Sequence, residues 1–176
     1  MWERKENIQV ANLVETIQVM GTFATFTRAL KMTELAATLR EPGAYTVFAP
    51  TDAAFAQMDA EKLDGLFEDQ YNLSKVVKYH IVMGIYKAAD LLDITFLKTM
   101  EGQRLIIRSS ISAGPGGETS EDSSDAHSYV IKDTFTTTLL ESIKVNGATI
   151  MQANVSAVNG IVHVINKVLV PHFMIL

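Results

Sequence analysis

The sequence contains no cysteine, which excludes disulfide bridges, thiolate metal sites and cysteine nucleophiles together. This absence is neutral about compartment, because disulfides are common in secreted proteins without being required. No apolar run approaches the ~20 residues of a membrane-spanning helix. The most apolar stretch, 161–176, is interrupted by His163, Asn166, Lys167 and Pro171 and reads as a core strand. The N-terminal MWERKENIQV lacks the apolar segment of a signal peptide as it stands. Positive charge is scarce: 15 Lys and Arg against 20 Asp and Glu leave a formal charge of −5. The basic residues are scattered with no stripe, which argues against a nucleic-acid partner. Two catalytic signatures are also missing, the Gly-x-Ser-x-Gly elbow and the His-Glu-x-x-His zinc helix. Gly114, Gly116 and Gly117 form no phosphate loop, since no Lys-Ser/Thr follows and the surroundings are acidic.

What is present describes an ordinary globular chain. Its 176 residues, 48% hydrophobic and 20% charged, suffice for one well-buried core and not for two comfortable domains. The ten residues 46–55, TVFAPTDAAF, carry the most local information. Thr46, Val47 and Phe48 read as a buried strand. Pro50 has no N–H to continue the ladder, and Thr51 or Asp52 offers a side-chain oxygen to cap the helix begun by Ala53, Ala54 and Phe55.

Upstream, Leu13, Val14 and Ile17 recur at helical spacing, and Gly21 ends that helix. Thr22 is placed to cap a second helix with Phe23, Phe26 and Leu30 on one face, and Thr33 to open a third through Leu39. Pro42-Gly43 signals the turn before the strand at 45–48. A further helix starts at Asp59, and Asn72 is placed to cap one bearing Leu73, Val76, Val77 and His80. Strands are expected at 81–86 and 104–108, with a short helix or turn over 88–97. Asn146-Gly147 predicts a type I′ hairpin between 143–145 and 148–151, and Asn159-Gly160 repeats the signal before a final strand. The segment 112–126, SAGPGGETSEDSSDA, is Gly/Ser-rich and acidic and reads as a solvated loop. Tyr129–Ile131 is a candidate extra strand, and no internal repeat is found.

The reactive side chains have structural explanations. His80 falls on an apolar helix face with no partner constellation nearby in sequence, so a core histidine bonded to backbone is expected, with Tyr79 packing beside it. Asp52 is explained as a helix cap. His163 shares a strand face with Ile161 and Ile165 by period two. Glu118, Glu121, Asp122 and Asp125, with His127, could attract a hard cation, but the calcium-loop spacing is absent. Asn72-Leu73-Ser74 and Asn154-Val155-Ser156 match the N-glycosylation sequon. The tail residues Phe173 and Met174, with Ile175 and Leu176, form an apolar patch that needs a cover. Folding back on the helix bearing Leu13 and Ile17 is favoured over docking on a second copy, hence a monomer over a homodimer.

Three segments, in order, resemble the signature blocks of the fasciclin domain family: TVFAPTDAAF, the Tyr79-His80 pair, and NGIVHVINKVLVP from Asn159 and Gly160 to Pro171. The resemblance implies one α+β domain over 1–176, with its core from about 7 to 171 and a mostly helical N-terminal half. A β-wedge of two sheets with flanking helices is implied, with Thr51, Asp52, Tyr79, His80, Asn159, Gly160 and His163 as structural motif residues. A short turn is implied where this chain carries an insertion from about 109 to 142. Members often have an Asp where this chain has Asn166, and some animal members carry an Asp-Ile integrin contact where Asn154 and Val155 stand, so that activity does not carry over.

The expected function is a non-enzymatic binding or adhesion module, extracellular, periplasmic or at the cell surface, that recognises a protein or glycan partner. No catalytic residue, cofactor site or metal ligand is assigned. The alternatives are a small-ligand or metal-binding domain using the acidic insertion, or a hydrolase with an unrecognised site.

Overall fold

The structure, a computed structural model, describes residues 11–112, 129–131 and 138–171. Glu118, Glu121, Asp122 and Asp125 of the acidic segment, and Phe173 and Met174 of the tail, lie outside the described residues.

The first half is mostly helical. Helix α1 (Leu13–Met20) opens with a capping box: the Asn12 side chain accepts from Glu15 N–H at 3.0 Å, and the Glu15 carboxylate accepts from Asn12 N–H at 3.1 Å. It closes on Gly21 at φ 80°, a left-handed position that glycine takes without strain. Helices α2 (Ala24–Met32) and α3 (Leu35–Arg40) follow. Their caps differ from the sequence expectation. Thr22 caps nothing; the residue before α2 is Phe23, without a side-chain cap bond. Thr33 closes α2 rather than opening α3, because its hydroxyl donates back to the Ala29 carbonyl at 2.8 Å. Glu34, at φ 63°, then turns the chain.

Strand β1 (Tyr45–Pro50) leads into α4 (Asp52–Ala56), α5 (Ala60–Glu68) and α6 (Gln70–Tyr79). Helix α6 begins one turn earlier than expected, since Asp69 and not Asn72 is its cap: an Asp69 oxygen accepts from Asn72 N–H at 3.2 Å. Then come β2 (Ile81–Met83), α7 (Ala88–Leu91), β3 (Phe96–Lys98), β4 (Arg104–Ser112), β5 (Tyr129–Ile131), β6 (Thr138–Val145), β7 (Ala148–Ala157) and β8 (Gly160–Ile165). The ambiguous stretch 88–97 thus divides between one turn of helix and the start of a strand.

The strands follow one hydrogen-bonded path, β2-β1-β8-β7-β6-β4-β3, with β5 paired to β6. All described pairings are antiparallel except β1 with β8. An isolated bridge between Val82 and Thr99 brings the two ends of the path together, so the sheet is nearly closed. Strand β7 is where it turns: Ala148 and Thr149 pair with β6, while residues from Ile150 onward pair with β8 through two register shifts.

Two buried clusters result. Val47, Ala49, Val162 and Val164 face the helices and meet Leu13, Ile17, Phe26, Leu30 and Val76. Phe48 and Ile165 face the inside of the curl and meet Leu105, Ile107, Ile143, Val145 and Ile150. Strands β1 and β8 are therefore buried on both faces, which explains their nearly continuous apolar sequence. The outer face of β3, β4 and β6 is left to solvent, with Phe96, Ile106, Arg108 and Lys144 exposed there.

Candidate functional site

The polar residues singled out in the sequence lie at the junctions between these layers, and all but Thr51 direct a side chain at main chain from a distant segment. Thr51 caps its own helix, its hydroxyl accepting from Ala54 N–H at 3.1 Å. Asp52 does not serve that helix. Its carboxylate accepts from Thr25 N–H at 2.8 Å and Ala24 N–H at 3.3 Å, so it caps α2 from across the molecule. The Asp52 N–H donates to the Thr22 carbonyl at 2.9 Å, which fixes the approach from both sides. The negative charge sits at a helix N-terminus, where the free amides and the helix dipole favour it.

His80 is the C-cap of α6 and fully buried. Leu169 N–H points at Nε2, at 2.9 Å, and an amide can only donate. Nε2 is therefore the unprotonated nitrogen, and Nδ1–H donates to the Val76 carbonyl at 2.7 Å. The His80 carbonyl accepts from Phe48 N–H at 2.9 Å. One residue thus joins α6, β1 and the segment after β8. Burial pushes its pKa down to about 4.

His163 is also fully buried, with its ring stacked on Phe48 at 5.5 Å. Its tautomer is the reverse. Asn154 N–H donates to Nδ1 at 3.2 Å, so Nε2–H donates to the Tyr86 carbonyl at 2.7 Å. Burial lowers its pKa too. Asn154, at φ 61°, turns its side-chain oxygen to the Ala88 N–H at the start of α7, at 2.9 Å.

Asn159 holds three elements. Its Oδ1 accepts from Leu13 N–H at 2.9 Å, and its Nδ2 donates to the Leu39 and Glu41 carbonyls at 2.6 and 2.9 Å. The Asn159-Gly160 pair is not the predicted I′ turn. Ala157 pairs with Gly160, so Val158 and Asn159 form the loop, and neither has a positive φ. Gly160 is required for space, since a Cβ would run into the Tyr45 carbonyl and Leu13 Cδ1. Asn146-Gly147 does adopt the I′ signs, at φ 49° and 84°.

Sequence reasoning missed what Asn146 does. Its amide donates to the Tyr79 hydroxyl at 2.6 Å and its Oδ1 accepts from Ile106 N–H at 2.6 Å, while Tyr79 donates to the Arg104 carbonyl at 3.0 Å. Burial raises the Tyr79 pKa. Thr46 was missed likewise: its hydroxyl donates to the Gly84 carbonyl and accepts from Tyr86 N–H. Asn166 repeats the pattern, accepting from Thr149 N–H at 2.8 Å without needing a charge. These partners lie up to 67 positions away in the chain, and no local sequence signal announces them. Among the described residues no group of three His, Asp or Glu side chains is placed to hold a metal ion.

The family model described as Fasciclin domain matches residues 21–171. The chain is 31% identical over 161 residues to Protein sll1483 of Synechocystis, covering 90% of this chain and 73% of that protein. It is 25% identical over 162 residues to human periostin, covering 91% of this chain and 16% of periostin. Among solved structures it is similar to a FAS1 domain pair from the insect cell adhesion molecule fasciclin I. That match has a TM-score of 0.57 at 18% identity and covers 86% of this chain and 46% of the other, a likeness of fold.

Proposed function

This chain belongs to the fasciclin domain family, and from that premise we propose that it is a non-enzymatic binding or adhesion module. Its partner is a protein or glycan met outside the cell, in the periplasm or at a cell surface, and the nearly closed sheet with its helices acts as a rigid wedge that presents the binding surface. The chain works as a monomer in this reading.

The observation that carries the reading is the use made of the signature side chains. Asp52, His80, Asn159 and His163 direct their polar atoms at main-chain groups, all in other segments except the Val76 carbonyl that His80 meets in its own helix. A catalytic side chain needs a free lone pair or proton aimed at a substrate. The two histidine rings have both nitrogens engaged.

The test presents the chain to an array of matrix proteins and glycans, in parallel with a panel of ester, peptide and glycoside substrates. Saturable binding without turnover is expected. Turnover that disappears in a His163→Gln variant with a wild-type melting temperature would overturn the reading.

A further inference from the structure

The basic residues look scattered in sequence, but strand pairing gathers some of them. Lys98 of β3 is the direct cross-strand partner of Arg104 in β4, and Arg108 of β4 is the direct partner of Lys144 in β6. Leu97, Leu105, Ile107, Ile143 and Val145 alternate with them and are buried, so all four cations stand on the outer face of the curl. Like charges placed directly opposite each other repel. Two such pairs on adjacent strands are unexpected in a chain of net charge −5.

The surface there is hollowed. One depression of about 800 Å³ is lined by Arg104, Ile106, Arg108, Gly147 and Val170 among others, and a second of about 470 Å³ by Arg108, Ser109, Ser110, Ser142 and Lys144. Arg108 is common to both, so they form one trough along β4. From Arg104 to Ser110 the trough runs roughly 20 Å, at the usual rise of a strand. Among the described residues no carboxylate lines either part. Phe96 and Ile106, a cross-strand pair left 44% and 45% exposed, lie between the two cation pairs, with the Arg104 guanidinium 4.3 Å from the Phe96 ring centroid.

We propose that this trough binds an extended anionic polysaccharide, its carboxylate or sulfate groups pairing with Arg104, Arg108 and Lys144, with Lys98 beside them. The proposal rests on the binding-module reading and names the class of partner. A polysaccharide suits the face better than the other polyanions. An acidic peptide gains much of its grip by adding a strand to a free sheet edge, whereas β4 is paired to β3 and to β6 along the trough. A single-stranded nucleic acid needs a series of open aromatic faces, and the aromatic ring on this face is covered by Arg104. Ile106, left 45% exposed, offers a small apolar surface to the C–H face of a sugar ring without needing an open aromatic ring.

The probe is a heparin oligosaccharide titrated into the full chain at rising salt. Binding that weakens with salt, and that drops roughly tenfold or more in the Arg108→Ala, Lys144→Ala double variant without a fall in melting temperature, is expected. Both side chains are exposed, so the variant keeps its core. Polyglutamate and a single-stranded oligonucleotide of similar length should bind more weakly. Absence of heparin binding, indifference to the double substitution, or tighter binding of polyglutamate or the oligonucleotide would overturn the proposal. So would binding seen only after Glu118→Gln, Glu121→Gln, Asp122→Asn and Asp125→Asn together, which would make the chain's own acidic segment the occupant. A neutral glycan or protein captured on the array, unaffected by Arg108→Ala with Lys144→Ala, would overturn this proposal and leave the binding-module reading standing.

Discussion

At the scale of single residues, the two buried histidines show how the environment selects a protonation state. Each faces one amide N–H and one carbonyl, and each must therefore be neutral, with opposite nitrogens protonated. For His80 the folded pKa, about 4, lies below the ordinary 6.5, so the unfolded chain takes up the proton first. Its contribution to stability is complete above about pH 6.5 and is lost as pH falls towards 4. Between about pH 7 and pH 5 the loss should be about 2 kcal/mol, and His163 adds to it with the same sign. Urea unfolding at the two pH values checks this. The His80→Asn variant should be less stable at neutral pH and show a shallower pH slope; an unchanged slope would mean that His80 does not carry the dependence. Asp52→Ala should cost about 1–2 kcal/mol, the value of a lost helix cap, with hydrogen exchange rising in the first turn of α2 rather than in α4.

Elements show where local sequence suffices and where it does not. The glycine that ends α1 and the I′ hairpin at Asn146-Gly147 are short-range devices and could be read from residue types alone. The wrong caps at Thr22 and Asn72 share a cause, whereas Thr33 turns its hydroxyl back to the Ala29 carbonyl. Each residue is chemically able to cap, but α2 is capped by Asp52 from another segment, and Asp69 stands a turn ahead of Asn72. Asn159-Gly160 carried a turn signal one residue out of register, because Gly160 is there to let β8 approach β1. The cation pairs on β3, β4 and β6 were hidden for a similar reason: period two puts Arg104 and Arg108 on one face, but their partners come from other strands. Relieving one repulsion should help the element that bears it. Lys144→Glu turns a like-charge pair with Arg108 into an opposite one and should stabilise the protein by roughly 0.2–1 kcal/mol, read as a higher denaturation midpoint. A lower midpoint would show that the Arg108–Lys144 pair is not strained.

For the whole molecule, the helices of the first part follow from periodicity, and the family resemblance supplied the α+β class and the order of the blocks. The single strand path, its near closure and the two separate cores are set by pairings between distant segments, such as β1 with β8 and Val82 with Thr99, which no local pattern encodes. The same topology separates two roles. Asp52, His80, Asn159 and His163 sit inside, tying helices to sheet, while the cationic trough sits outside on β3, β4 and β6; Tyr79 alone of the signature side chains reaches it, bonding the Arg104 carbonyl and lining the first depression. Asn159→Ala severs the ties to Leu13, Leu39 and Glu41 and leaves buried main-chain groups unpaired, so it should lower stability by about 2–4 kcal/mol. Asn159 shares no hydrogen bond with the trough. Calorimetric titration of the heparin oligosaccharide into folded Asn159→Ala, below its melting transition, therefore tests the division directly. The affinity should equal that of the wild type despite the lost stability; a folded variant that no longer binds would place recognition at the signature residues and contradict the account.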